Sequence, residues 1–225
     1  MRNFKPVTYL LVGLNIFIFI RMFQLYGLSA TEPENIYNSG GMFGNLFYQN
    51  HEWKRLITPS FVHIGITHLA FNMLALYTAS SILEQIYGGI KTLLIYLVTA
   101  VTGNVFAAFF TPAIVVAGAS TSIFGMFAVL ATLAVISQHD GVKNVGASYI
   151  GVILINLLYN LFTPGVSLAG HIGGAIGGLL MALILNSKFE SREWISKLIS
   201  LGVLIVMIAV MVSFTPFMWG CKWNN

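Results

Sequence analysis

Apolar residues recur in runs of about 20 along the whole chain, the length a helix needs to cross a hydrocarbon core roughly 30 Å thick. Seven runs are legible: about Val7 to Tyr26, Phe61 to Leu83, Ile90 to Phe110, Ala117 to Ile136, Ala147 to Phe162, Leu168 to Leu185 and Ile195 to Phe214. They leave no room for a separate soluble domain, so the pattern predicts an all-α polytopic membrane protein. The one sizeable stretch outside the spans, from about Gly27 to Ser60, carries Met42, Phe43, Leu46, Phe47 and Tyr48, which predict pieces lying in the membrane interface.

Composition agrees with the pattern. Of 225 residues 57% are apolar and only 8% charged, and the mean hydropathy is +0.83, far outside the range of a soluble domain. Basic residues in the short loops set the orientation. With the N-terminus cytoplasmic, the inner side carries Arg2, Lys5, Lys91, Lys143, Lys188, Arg192 and Lys197, against Lys54, Arg55 and Lys222 outside. Arg21, near the outer end of the first span, snorkels and is assigned to neither side. The pI near 9.2 is therefore a topology signal and implies no nucleic-acid partner. No small-residue cleavage site follows the first span before Glu32 and Glu34, so it is read as a retained span. A single cysteine, Cys221, rules out an intrachain disulfide.

Polar groups inside apolar spans are costly and point to function. They are His63, His68 and Asn72 in the second span, Ser120, Thr121 and Ser122 in the fourth, and His171 in the sixth. All three spans run from outside to inside, and in each the polar residues fall in the outer half. That places them in one layer, below the headgroups yet open to water. At about 100° per residue His68 and Asn72 share a helix face, whereas His63 points away from His68. On the sixth span His171, Gly174 and Gly178 form one stripe, and the G-x-x-x-G surface invites close approach by the fourth span, bringing Ser120 Oγ toward the His171 imidazole.

A serine hydroxyl becomes a nucleophile when a base takes its proton, and neutral histidine suits that role near pH 7. No carboxylate lies in these half-spans, so a Ser120–His171 dyad is expected, without a third acid. Oxyanion donors would come from Asn72, His68 and the Ser120 N–H at a helix N-terminus. Phe124, one turn below Ser120, is placed to pack on the His171 ring. Each residue also has a plain reading: serine as a packing residue, histidine as a structural polar group, the glycines as a packing stripe. The i, i+5 spacing of His63 and His68 does not converge on a metal, and neither metal nor cofactor is expected. A small-solute transporter would show matching broken helices in two halves, and no such repeat is found.

The residues quoted resemble those of the rhomboid intramembrane serine proteases. The resemblance rests on Gly118-Ala119-Ser120 with Phe124-Gly125, on His63-x4-His68-x3-Asn72, and on Ala169-Gly170-His171 with Gly174 and Gly178; Glu52 and Arg55 resemble the family's Trp-Arg loop region. It implies a six-helix rhomboid-like catalytic core over residues 1–187, then a linker, a seventh transmembrane helix and a short tail over 188–225, a six-plus-one form. It further implies that Ser120 is the nucleophile, His171 the general base, and His68 and Asn72 oxyanion donors, with the fifth span and loops as a gate. The implied activity is cleavage of transmembrane segments of single-span proteins near the outer face. The alternative within the same fold is a catalytically silent membrane-protein binder. Thr121 and Ser122 stand where the family commonly has Gly and Ala, and Lys54 aligns with its Trp, Trp53 lying one place earlier. Thr121 narrows the backbone freedom beside the nucleophile. The compact form suggests a bacterial cell membrane.

Overall fold

The computed structural model describes residues 5–162, 166–185 and 193–218. Seven long helices carry the apolar runs: α1 (Pro6–Tyr26), α4 (Ile66–Tyr87), α5 (Gly89–Phe110), α6 (Ser120–Ile136), α7 (Asp140–Leu161), α8 (Leu168–Leu185) and α9 (Glu193–Met218). Six are long and apolar enough to span a bilayer, and α6 is a shorter apolar helix of 17 residues. The chain is a multi-pass integral membrane protein. Arg2, Lys188, Arg192, Cys221 and Lys222 lie outside the described residues.

Between α1 and α4 the chain folds α2 (Pro33–Asn38), strand β1 (Met42–Phe43) and α3 (Gly44–Asn50), then two 3-10 turns, Trp53–Leu56 and Thr58–Phe61. β1 pairs antiparallel with β2 (Val115–Val116), which precedes α6, in the register Met42↔Val116 and Phe43↔Val115. Met42 and Phe47 are fully buried and pack with Ala107, Ala108 and Val116, so they form a small core over the end of α5.

Arg55, counted among the outer basic residues, is enclosed by its own loop. Its side chain is buried, pairs with Glu52 at 2.7 Å, and donates to the carbonyls of Tyr37 and Gly41, both at 2.6 Å. Five N–H donors on one guanidinium satisfy carbonyls that a tightly turned loop leaves unpaired. The ion pair with Arg55 holds the Glu52 carboxyl below the usual 4.5.

Two span boundaries differ from the hydropathy reading. α4 begins at Ile66 rather than near Phe61, because Thr58–Phe61 is a 3-10 turn and Gly65 (φ +141) breaks the chain before the helix. α7 begins at Asp140, seven residues ahead of the apolar run at Ala147, since a helix can continue past the hydrocarbon edge through a segment whose Asp140, Lys143 and Asn144 lower its hydropathy.

A buried carboxylate missing from the sequence reading fixes α1 to α4. Glu84 accepts from the N–H of Val7 at 3.0 Å and of Thr8 at 2.8 Å, and from Thr8 Oγ1 at 2.8 Å. It thus satisfies orphan donors at a helix N-terminus, where negative charge is favoured. The centre of the bundle is α5, α6 and α8, with α7 set against α6, and α9 against α8 and α5.

Candidate active site

The close fit of α8 against two neighbours decides where the site forms. A Cβ on Gly174 would lie 2.0 Å from Thr121 O, and one on Gly178 would lie 2.0 Å from Gly125 O. These positions face α6. One residue earlier, Gly173 and Gly177 face α5, where a Cβ would meet Phe106 Cβ at 2.5 Å and Thr102 Oγ1 at 2.2 Å. Four glycines therefore let α8 settle into the groove between α5 and α6 at backbone contact, as small residues do in membrane bundles.

That approach brings together the hydroxyl and the imidazole singled out in the sequence. Ser120 is the first residue of α6, and its Oγ lies 2.7 Å from His171 Nε2 in the first turn of α8. His171 is buried, and its ring stacks on Phe124 with centroids 4.2 Å apart and planes inclined by 9°. Ser167 starts α8 by accepting the Gly170 N–H on its Oγ at 3.1 Å, an N-cap that sets the helix register at His171. The first intrahelical bond of α6 runs from the Ile123 N–H to Ala119 O, so the N–H groups of Ser120 to Ser122 stand outside the helical ladder.

His68 and Ser120 flank Gly118. A Cβ on Gly118 would stand 2.7 Å from His68 Cε1, 3.0 Å from its Nε2 and 3.5 Å from Ser120 Oγ, and Gly118 adopts φ +135. Only glycine suits both constraints. Asn72 is buried one turn further along α4 and donates one of its two amide N–H groups to His68 O at 2.8 Å.

His63 does not behave as a residue of the span. It lies before α4, is fully buried, and its ring centroid is 5.3 Å from that of His68, so the helical-wheel expectation that the two diverge is corrected. The wheel does not apply across the break at Gly65. Neither His63 ring nitrogen has a hydrogen-bond partner among the described residues.

Thr121 and Ser122, the departures beside the serine, are both buried and bonded. Thr121 Oγ1 is 3.2 Å from Ser60 Oγ, and Ser122 Oγ donates to Tyr96 O at 3.0 Å. Tyr96 OH in turn donates to Ser60 O at 2.6 Å. The methyl-bearing Thr121 fits because Gly103 and Gly170 lie against it, where added Cβ atoms would come within 2.6 and 3.1 Å of its side chain. Bulk gained at one position is offset by glycine at two others. The network ties the start of α6 to α5 and to the 3-10 turn Thr58–Phe61.

One polar neighbour of His171 was missed. The Asn160 amide, near the end of α7, makes a hydrogen-bond contact with His171 Nδ1. The signal was present: Asn156 and Asn160 are the polar pair of the fifth span, and Asn160 falls at its outer end, level with the other polar residues. Among the described residues, Asn156 bonds within its own helix, donating to Val152 O. The ion pairs among the described residues join Glu52 to Lys54 and Arg55, and Asp140 to Lys143, all outside this pocket.

Fold and pocket together define a multi-pass helical membrane protein in which a hydroxyl and an imidazole meet within the bundle. The family model described as "Rhomboid domain" matches residues 50–188, and that match covers all of these residues. The chain belongs to the rhomboid family. It is 36% identical over 210 residues to "Rhomboid protease GluP" of Bacillus subtilis, covering 93% of this chain and 40% of that protein. It is 30% identical over 149 residues to "Putative rhomboid protease YdcA" of the same organism, covering 66% of this chain and 75% of that protein. It is also 27% identical over 172 residues to "Inactive RHOMBOID-like protein 8" of Arabidopsis thaliana, covering 75% of this chain and 48% of that protein. Since one relative is named inactive, membership alone does not make a protease.

Proposed function

We propose that this protein is an intramembrane serine endopeptidase that cleaves transmembrane segments of single-span membrane proteins, with Ser120 as nucleophile and His171 as general base. The 2.7 Å separation of Ser120 Oγ and His171 Nε2 carries the proposal. It is hydrogen-bond distance, the first geometric requirement of a nucleophile and its base.

His171 Nε2 takes the Ser120 proton as Oγ bonds to the scissile carbonyl carbon. The resulting oxyanion accepts hydrogen bonds from donors around it: the Ser120 N–H at the start of α6, the His68 imidazole across Gly118, and Asn72. Collapse breaks the C–N bond, and the leaving amine receives the proton from His171. A water molecule then gives its proton to His171 and its oxygen to the acyl carbon, releasing a carboxylic product and restoring the hydroxyl. No step requires a metal or a cofactor.

The excess of Lys and Arg on one side supports a cytoplasmic N-terminus and a site opening toward the outer face. Relatives from Bacillus subtilis support a bacterial cell membrane. Residues 1–187 form the catalytic core in this proposal, and 188–225 add the seventh helix without a catalytic part.

The test is cleavage of a model single-span substrate in proteoliposomes. Ser120→Ala and His171→Ala are each expected to abolish it while leaving the thermal midpoint of the detergent-solubilised protein unchanged. Cleavage retained in either variant would exclude the dyad. A wild-type protein that binds the substrate helix without cutting it would support the silent binder instead.

A further inference from the structure

His171 uses both ring nitrogens. Nε2 faces Ser120 Oγ at 2.7 Å, and Nδ1 faces the Asn160 side-chain amide from α7. A neutral imidazole carries one proton, so one nitrogen donates and the other accepts. To take a proton from Ser120, Nε2 must present its lone pair, and the ring proton must then sit on Nδ1. Nδ1–H buried at this depth needs an acceptor.

The Phe124 ring, stacked at 4.2 Å, fixes the plane of the imidazole but offers no lone pair to choose between the tautomers. Asn160 offers one. Asn160 Nδ2 faces His171 Nδ1 in the structure. A half-turn of the amide puts Oδ1 at the same place. With nitrogen inward, Nδ1 must accept and the proton moves to Nε2, where it blocks the base. With oxygen inward, Nδ1–H is held and Nε2 is left open. The two arrangements differ in one amide rotation and one proton.

We propose that Asn160 is a positioning residue: its Oδ1 accepts from His171 Nδ1–H and holds the imidazole in the tautomer that can deprotonate Ser120. This rests on the protease proposal above. It adds a third, orienting member to the dyad, an asparagine beside the histidine, as Cys-His-Asn hydrolases place beside theirs around a different nucleophile. Asn156 serves as an internal comparison, an asparagine one turn earlier on α7 whose amide is committed to Val152 O at 2.8 Å.

The experiment compares full-length wild type, Asn160→Leu, Asn160→Asp and Asn156→Leu in proteoliposomes. It reads kcat and KM for a single-span substrate, the rate of fluorophosphonate labelling of Ser120, and the thermal midpoint. Asn160→Leu is expected to lower kcat and the labelling rate together, by roughly 10- to 100-fold, with KM unchanged. Asn160→Asp keeps an acceptor at Nδ1 and is expected to recover most of that loss, while Asn156→Leu changes neither rate. Equal impairment of the Leu and Asp variants, in step with a lowered thermal midpoint, would make Asn160 a helix–helix link only and overturn the proposal. So would an unchanged kcat in Asn160→Leu.

A second measurement needs no variant. In wild-type protein above the His171 titration, ring 15N shifts are expected to show a protonated Nδ1 and an unprotonated Nε2. The opposite pattern would overturn the assignment. Wild-type protein that neither cleaves nor labels would instead remove the protease proposal on which this one stands, and the two failures are thereby distinguished.

Discussion

The helix that carries His171 and the helix that reaches its far side are held in different ways. α8 carries the imidazole itself and lies in backbone contact with α5 and α6 through Gly173, Gly174, Gly177 and Gly178. α7 brings Asn160 to the same ring, yet only 11% of its membrane-spanning window is buried, against 67% for α5. Leu154, Ile155, Leu158 and Tyr159 on α7 face outward toward lipid. The contrast teaches where precision is invested. The Ser120–His171 distance belongs to a seam that cannot shift without backbone collision, while the group that touches the far side of the imidazole sits on a helix with few ties to α8.

The seam is the part whose disruption costs most. Gly174→Leu would place a side chain where a Cβ alone meets Thr121 O at 2.0 Å, so it is expected to destabilise by more than ~3 kcal/mol and to abolish cleavage. Thermal unfolding in detergent and the cleavage assay check both; a stable, active variant would show that the helix contact is softer than described. Next come the proposed oxyanion donors on α4. Asn72→Ala and His68→Ala are each expected to slow cleavage on the order of 10- to 1,000-fold with little change in the thermal midpoint. Silence of both would move the oxyanion site to the backbone ahead of Ser120.

Acid offers a milder probe, directed at the loop. Folding lowers the Glu52 carboxyl below its usual 4.5, chiefly through the bonds from Arg55, so this pair stabilises the loop at neutral pH. The contribution is present above the unfolded value and is lost as pH falls through the folded one. As pH falls below the usual 4.5, lower protection against hydrogen exchange, relative to the intrinsic rate at each pH, is expected across the loop of residues 37–55. Glu52→Gln should show the same looseness at neutral pH, and unchanged exchange in that variant would refute the role given to the pair. The smallest effect is expected from Leu154→Ala on the outward face of α7, within about 0.5 kcal/mol of wild type. A larger loss would mean that α7 is packed more firmly than the comparison holds.

The sequence made the seam readable because it concentrates two rare signals. A serine and a histidine interrupt long apolar runs, and glycines recur four apart on the same span as the histidine. Phe124 followed from helical spacing alone. Other parts obeyed rules that hydropathy does not carry. Asn160 was passed over because a single amide in a span most often bonds its own backbone, as Asn156 does.

Arg55 entered the sequence reading only as a basic loop residue and as part of the loop resemblance, and the folded loop reveals the carbonyls of Tyr37 and Gly41 around it. His63 was set on a helix that begins three residues later, so the expected divergence from His68 failed with the boundary. Thr121 shows a different limit. Its fit depends on Gly103 and Gly170 from two other helices, a compensation that no local pattern displays.

The measurement that bears most directly on the pairing of Ser120 with His171 is fluorophosphonate labelling of the purified protein, with the modified residue located by mass spectrometry. One phosphonyl adduct on Ser120 Oγ is expected in wild type, and none above background in His171→Ala of equal thermal stability. An adduct elsewhere, or undiminished labelling of Ser120 without the imidazole, would contradict it.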